Sequence, residues 1–274
     1  MKTSALAIAT ALLGSTPTMP PAPDIVGMRP VVSAAAPIVA APAGNLISRD
    51  ELGAAMKSAG LVAVGEKHDS PDHHLVQAEM LALLAERVPA AAVGFEMVSY
   101  EDQLKLDDFA SGKTSETDFA AWWRKTWGFD YAIYKPIFDE ARRRKLPLYA
   151  LNAPMDLVRA VGKRGIAGLS PAERARLPAV IEESSDPRYR EFVLQSVSSH
   201  SVQAQFILQR LGIDPMSAAA SDPEAIKRRI QAMAVWNETM GEQAARRVAA
   251  GRTLFLVAGQ GHVLYTAGVP ESAR

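Results

Sequence analysis

Residues Leu61-Val62-Ala63-Val64-Gly65 limit what this chain can fold into more than any other stretch. The run is apolar at every position up to the glycine, without the alternation of a strand that shows one face to water. Such a strand is covered on both faces, which points to a parallel sheet held between layers of helices. Ala91–Glu96, Leu146–Leu151 and Arg252–Ala258 are three further runs of strand length. Helical patterns fill the intervals. Ser48-Arg49-Asp50-Glu51 has the spacing of a capping box, ahead of a helix that reaches about Ser58. From Pro71 to Arg87, the residues His73, Val76, Met80, Leu83 and Leu84 fall on one helical stripe. Alternating strands and helices with right-handed crossovers predict an α/β fold of three layers. Its sheet is mainly parallel, has about four or five strands, and carries large helical insertions at 100–145 and 154–250. Residues 46–274 read as a single domain.

The ends and the composition bound the function. Residues 1–14, with Lys2 ahead of the apolar segment Ala5–Leu13, read as an export signal, too short to span a bilayer. Residues 15–45 are an Ala/Pro-rich linker. A periplasmic or secreted protein is expected, with a cytoplasmic protein that has a disordered start as the alternative. The chain has no cysteine, which removes disulfides, thiolate metal sites, a cysteine nucleophile and a lipid-bearing N-terminal cysteine, so no anchoring to a membrane through lipid is expected. Lys+Arg and Asp+Glu both number 30, leaving no net field to attract nucleic acid. Arg142-Arg143-Arg144-Lys145 reads as a solvated helix C-terminus.

Polar residues gather just past each strand. The first strand leads into Glu66 and His68, with His73 and His74 at the start of the next helix; the second ends on Glu96, the third precedes Asn152, and the fourth precedes Gly259-Gln260-Gly261-His262. In a parallel sheet all of these lie along the carboxyl edge, where ligands bind in open α/β folds. Glu66, His68, Glu96 and His262 suit a divalent metal that prefers oxygen and nitrogen. Without metal, a glutamate could hold a histidine in one tautomer as a general base, the arrangement of a hydrolase. Residues 115–145 add Trp122, Trp123, Trp127, Tyr131 and Tyr134. These pack a helical subdomain, or they wall a flat apolar ligand, with Tyr134 or Tyr131 offering a phenolate oxygen to iron.

Several of these segments, in this order, resemble one family. Gly65-Glu66-Lys67-His68-Asp69 with Asp72-His73-His74 and Gln77, then Gly94-Phe95-Glu96-Met97, Trp127 through Tyr134-Lys135-Pro136-Ile137 and Leu151-Asn152-Ala153-Pro154 are similar to motifs of the ChaN-like haem-binding proteins. Trp236-Asn237-Glu238-Thr239-Met240, Gly259-Gln260-Gly261-His262-Val263 and Gly268-Val269-Pro270 complete the likeness, which covers about residues 46–272. It implies an α/β fold in a superfamily that also holds erythromycin esterases and TIKI metalloproteases. It also implies an envelope protein of iron or haem uptake that binds haem, in some cases as facing pairs across a homodimer. A tyrosine ligates the iron in that family, and Tyr134 matches best; Tyr131, His68, His74, Asn152 and Trp127 complete the expected haem contacts. His68, Glu96 and His262 match positions that the esterase relatives use, so a hydrolase is the alternative. Relatives commonly carry a lipid and continue past Gly-Val-Pro, so this chain is expected to differ in both.

Overall fold

The apolar runs do become a parallel sheet. The structure, a computed structural model, describes residues 5–9, 38–40, 43–198, 205, 208–212 and 222–274, the first five by their backbone alone. Its strands are β1 (Ala5–Ala9), β2 (Ile38–Ala40), β3 (Asn45–Ile47), β4 (Leu61–Glu66), β5 (Ala91–Ser99), β6 (Leu148–Asn152) and β7 (Thr253–Gly259). Five of them form one sheet in the order β1-β4-β7-β5-β6, parallel throughout, while β2 and β3 make a separate antiparallel hairpin.

Successive side chains along a strand point to opposite faces, and each face has its own core. Val62, Val64, Val93, Phe95, Phe255 and Val257 face one layer. That layer holds α1 (Arg49–Ser58), α2 (Pro71–Ala85), α3 (Gln103–Ala110), α4 (Glu116–Trp127) and α5 (Tyr131–Arg143). Leu61, Ala63, Ala92, Leu254, Leu256 and Ala258 face the other. Its helices are α6 (Met155–Arg164), the one-turn α7 (Pro171–Arg174), α8 (Pro187–Ser198), the long α9 (Pro223–Ala249) and the one-turn α10 (Val269–Ser272). This is the three-layer α/β architecture that the uniform apolar strands demand. Helix boundaries follow local chemistry. The Ser48–Glu51 capping box opens α1, Ser115 and Asp130 cap α4 and α5 by accepting backbone N–H bonds, and Gly128 ends α4 at φ 97°. No described helix is long and apolar enough to cross a membrane.

Three details depart from the sequence-based expectations. The apolar segment read as the core of an export signal contributes β1, the edge strand beside β4; a short Ala/Ile/Leu run satisfies either role. The end of the expected linker holds the hairpin, whose Ile38 and Ile47 pack against the first core; residues 10–37 of that region lie outside the described residues. Finally, β5 does not end at Glu96 but continues to Ser99, with a shift of register against β6 between Phe95 and Ser99. Met97 and Val98 both turn into the first core, so the alternation breaks there.

Candidate functional site

The carboxyl ends of β4, β5, β6 and β7 open into a cleft of about 580 Å³, a common size for a small-molecule or cofactor site. Glu66, Lys67, His68, Glu96, Asn152, Gly259 and His262 line its floor, while Trp127, Phe129, Met155, Phe192, Met233 and Trp236 supply apolar wall and Arg210 adds a cation.

Four groups form an alternating row of acids and imidazoles across the sheet edge. His68 Nδ1 lies 2.6 Å from Glu66 Oε1, and His68 Nε2 lies 4.0 Å from Glu96 Oε1. His262 Nε2 lies 3.3 Å from that same Glu96 oxygen. The other Glu96 oxygen accepts the Gly259 N–H at 2.5 Å. Parity along the strands explains the arrangement. Glu66 continues the face of Val62 and Val64, so it meets the aromatic layer; Glu96 continues the face of Ala92, so it meets α9 and the last loop. His68 stands between the two. Gly259 makes this possible, because a Cβ there would sit 2.7 Å from His68 Cε1.

The charges respond to this packing. Burial alone would push the Glu96 carboxyl up, but His262, His68 and the Gly259 N–H outweigh it and hold the group at about 2. Burial disfavours the charged form of His68, yet the Glu66 and Glu96 carboxylates reverse that and raise it above the ordinary imidazole value. Glu66 Oε2 is buried and has no hydrogen-bond partner among the described residues.

Each half of the row is braced from behind. On the Glu66 side, Trp127 Nε1 donates to the Tyr134 hydroxyl at 3.1 Å, and that hydroxyl lies 3.3 Å from the His68 carbonyl and 3.5 Å from Glu66 Oε1. On the Glu96 side, His262 Nδ1 lies 2.7 Å from Asn237 Oδ1, Asn237 Nδ2 donates to the Tyr189 hydroxyl at 2.9 Å, and Tyr189 donates to the Gly261 carbonyl at 2.7 Å. Asn152 Nδ2 ties the Glu96 carbonyl to β6 at 2.7 Å.

The residues expected from the sequence therefore divide. Glu66, His68, Glu96, Asn152, Trp127 and His262 are brought together in the cleft. Tyr134 is fully buried behind its wall, and burial beside Glu66 raises its phenol well above the ordinary value. Tyr131 sits farther back, among Phe109, Phe119 and Phe138. His74 is buried under the site, its Nδ1 3.0 Å from Gln77 Oε1 while Gln77 Nε2 donates to the Val64 carbonyl. His73 Nδ1 accepts the Lys67 N–H at 3.0 Å. Among the described residues no group of three or more His, Asp or Glu is placed to hold a metal ion. The four expected metal ligands pair with one another. Sequence reasoning missed Tyr189, Asn237 and Arg210. Asn237 sits inside a segment noted for its resemblance but carried no sign of its role, and Tyr189 and Arg210 come from helices far along the chain.

Comparison with known proteins places the fold. The structure is similar to the one described as "Cofacial heme binding to ChaN of Campylobacter jejuni", with a TM-score of 0.58 at 16% identity, covering 84% of this chain and 82% of that one. Weaker likenesses, both with a TM-score of 0.43, are to the type III effector HopBA1 (14% identity, 78% of this chain, 72% of that) and to an erythromycin esterase EreC mutant (15%, 78%, 64%). No protein of curated function matches the chain. The family model described as "Haem-binding uptake, Tiki superfamily, ChaN" matches residues 52–272, and the chain belongs to that family.

Proposed function

We propose that this protein binds haem in the cleft at the carboxyl edge of the sheet, with His68 as the iron ligand, and serves haem or iron uptake in the cell envelope. One observation carries this: an imidazole anchored through Nδ1 by a buried carboxylate at 2.6 Å stands in a 580 Å³ cleft with aromatic walls. Haem would bring a flat apolar macrocycle, an iron with open axial positions and two carboxylates. Trp127, Phe129, Phe192 and Trp236 offer apolar surface for the first, and Lys67 and Arg210 offer cations for the last. Glu66 orients His68 and strengthens it as a donor, as carboxylates behind metal-binding histidines do. Tyr134, the ligand expected from the family resemblance, is assigned the role of bracing Glu66 and His68 from behind. The related Campylobacter structure is described as binding haem cofacially, and two copies of this chain meeting cleft to cleft would do the same.

The test is a titration of the purified protein with haemin, followed by absorbance and resonance Raman. Saturation with an imidazole-type spectrum that is lost in His68→Ala and kept in Tyr134→Phe is expected. A phenolate-type spectrum lost in Tyr134→Phe would remove His68 as the ligand, and no spectral change at all would remove haem.

A second reading is favoured by the pairing of both imidazoles with carboxylates. His262 or His68 would take a proton from water as it attacks an ester or amide carbonyl. Ester hydrolysis by the haem-free protein that disappears in Glu96→Gln would support it.

A further inference from the structure

We propose that His73 is a positioning residue for His68: its neutral ring clasps the backbone of the loop that presents His68 to the cleft, and acid opens that clasp. Residues 67–70 join β4 to α2. Ser70 stands at the cap of α2 but makes no side-chain cap bond among the described residues, and Pro71 and Asp72 follow it, so His73 is the third residue of the helix. A glutamate or glutamine at that place commonly reaches back to the N–H of the capping residue. His73 reaches past it, and its Nδ1 accepts the Lys67 backbone N–H at 3.0 Å. A backbone N–H can only donate, so this one bond settles the ring. Nδ1 is bare, the proton is on Nε2, and a flipped ring would offer a carbon instead.

The loop is held at other points too. The Ser70 N–H donates to the Lys67 carbonyl at 3.0 Å, and the His68 carbonyl meets the His74 ring and the Tyr134 hydroxyl, each at 3.3 Å. Of these contacts only the one to His73 needs a bare ring nitrogen, so it is the one that a proton breaks. A charged His73 would set one N–H against another at the N-terminus of α2, where the helix dipole also opposes a cation. Burial holds the imidazole below its ordinary value. Lys67 on the loop and His74 beside it push the same way, and Glu66 at the end of β4 and Asp72 on the helix offset them only in part. The clasp is therefore complete above 6.5 and fades as pH falls through the lowered value. What His68 binds rests on the haem reading; the clasp itself does not.

The experiment uses full-length ¹⁵N-labelled protein without haemin, titrated from about pH 8 to about pH 5. At the alkaline end a ¹⁵N–¹⁵N coupling across the hydrogen bond joins the Lys67 amide to His73 Nδ1, and the ring proton is on Nε2. On acidification the coupling vanishes with a midpoint below 6.5, and the Lys67 and His68 amide signals shift with it. In His73→Asn a side-chain oxygen replaces Nδ1 as an acceptor that does not titrate, so those signals stay in place. In His73→Phe, which offers no acceptor, they take their acid positions at every pH. Haemin is then added. Its release quickens in acid in both the wild type and His73→Asn, because His68 is protonated in each, but the rise is about 10-fold greater in the wild type. No coupling at alkaline pH, a proton on Nδ1 there, a midpoint above 6.5, or the same acid response of the amides in His73→Asn would overturn the clasp. An equal rise in haemin release in the two proteins would overturn the positioning role. Wild-type protein that leaves the haemin spectrum unchanged would end the haem reading, while the amide data would still decide the clasp.

Discussion

The two halves of the site look alike and are built differently. Each is a buried glutamate beside a histidine, one on either face of the same sheet. The Glu66–His68 pair is short, 2.6 Å, and is braced by an indole and a phenol. The Glu96–His262 pair is longer, 3.3 Å, and its carboxylate also takes a backbone N–H and faces the second imidazole. One half is thus a single strong contact in an aromatic shell, with one carboxylate oxygen that has no hydrogen-bond partner among the described residues. The other is a hub on which several groups depend. A short contact fixes one side chain, whereas a hub fixes the whole edge.

The largest test of that difference is removal of each acid. Glu96→Ala strips the Gly259 N–H and His262 of their partner and takes away the carboxylate 4.0 Å from His68, and should cost about 3–5 kcal/mol in urea unfolding at pH 6. Glu66→Ala should cost less, about 1–3 kcal/mol. Equal losses would mean that the hub is no hub.

Next comes the seam between the halves. Gly259→Ala sets a methyl 2.7 Å from His68 Cε1 and 3.5 Å from Glu96 Oε2. A cost of about 1–3 kcal/mol is expected, with a disturbed haemin spectrum because His68 must swing away. A crystal structure of this variant with His68 in place would refute the seam.

Tyr134→Phe is milder. It removes the bond from Trp127 and the contact with Glu66, for about 1 kcal/mol of stability. The haemin spectrum should be unchanged.

The last test is the response to pH, which separates the halves by sign. Glu96 is held at about 2, below its ordinary 4.5. Its contribution to stability is complete above 4.5 and fades as pH falls toward 2. His68 is raised above 6.5, so its contribution is complete below 6.5 and fades as pH rises through the raised value. The two coexist fully between 4.5 and 6.5. In His68→Ala the alkaline loss should shrink while the acid loss remains, as read by unfolding midpoints across pH.

Much of this arrangement was legible in the chain because strands announce themselves. Four apolar runs predicted the sheet, and residues just past them predicted Glu66, His68, Glu96, Asn152 and His262 along one edge. Parity along a strand is local information. What was not legible depends on distance. Tyr189 and Asn237 reach Gly261 and His262 from helices 72 and 25 residues away, and nothing in the periodicity of α8 or α9 separates them from other buried side chains. Tyr134 shows the opposite case: its resemblance to a family position was visible, but its burial behind Trp127 is a product of packing. The edge strand β1 was hidden because a short apolar run suits an export signal equally well.

The break of register in β5 has a consequence for how the chain tolerates change. Regular pairing would carry each side chain after Phe95 to alternate faces; the shift before Ser99 instead puts Met97 and Val98 on one side and lets the strand pair again with Asn152. Losing one residue of this short segment would straighten the strand without unfolding the sheet, and everything beyond it would exchange faces. Insertions and deletions should therefore be accepted in the turns around α7 and rejected at 96–98, where the length of the chain, as much as its chemistry, keeps the carboxylate at the cleft.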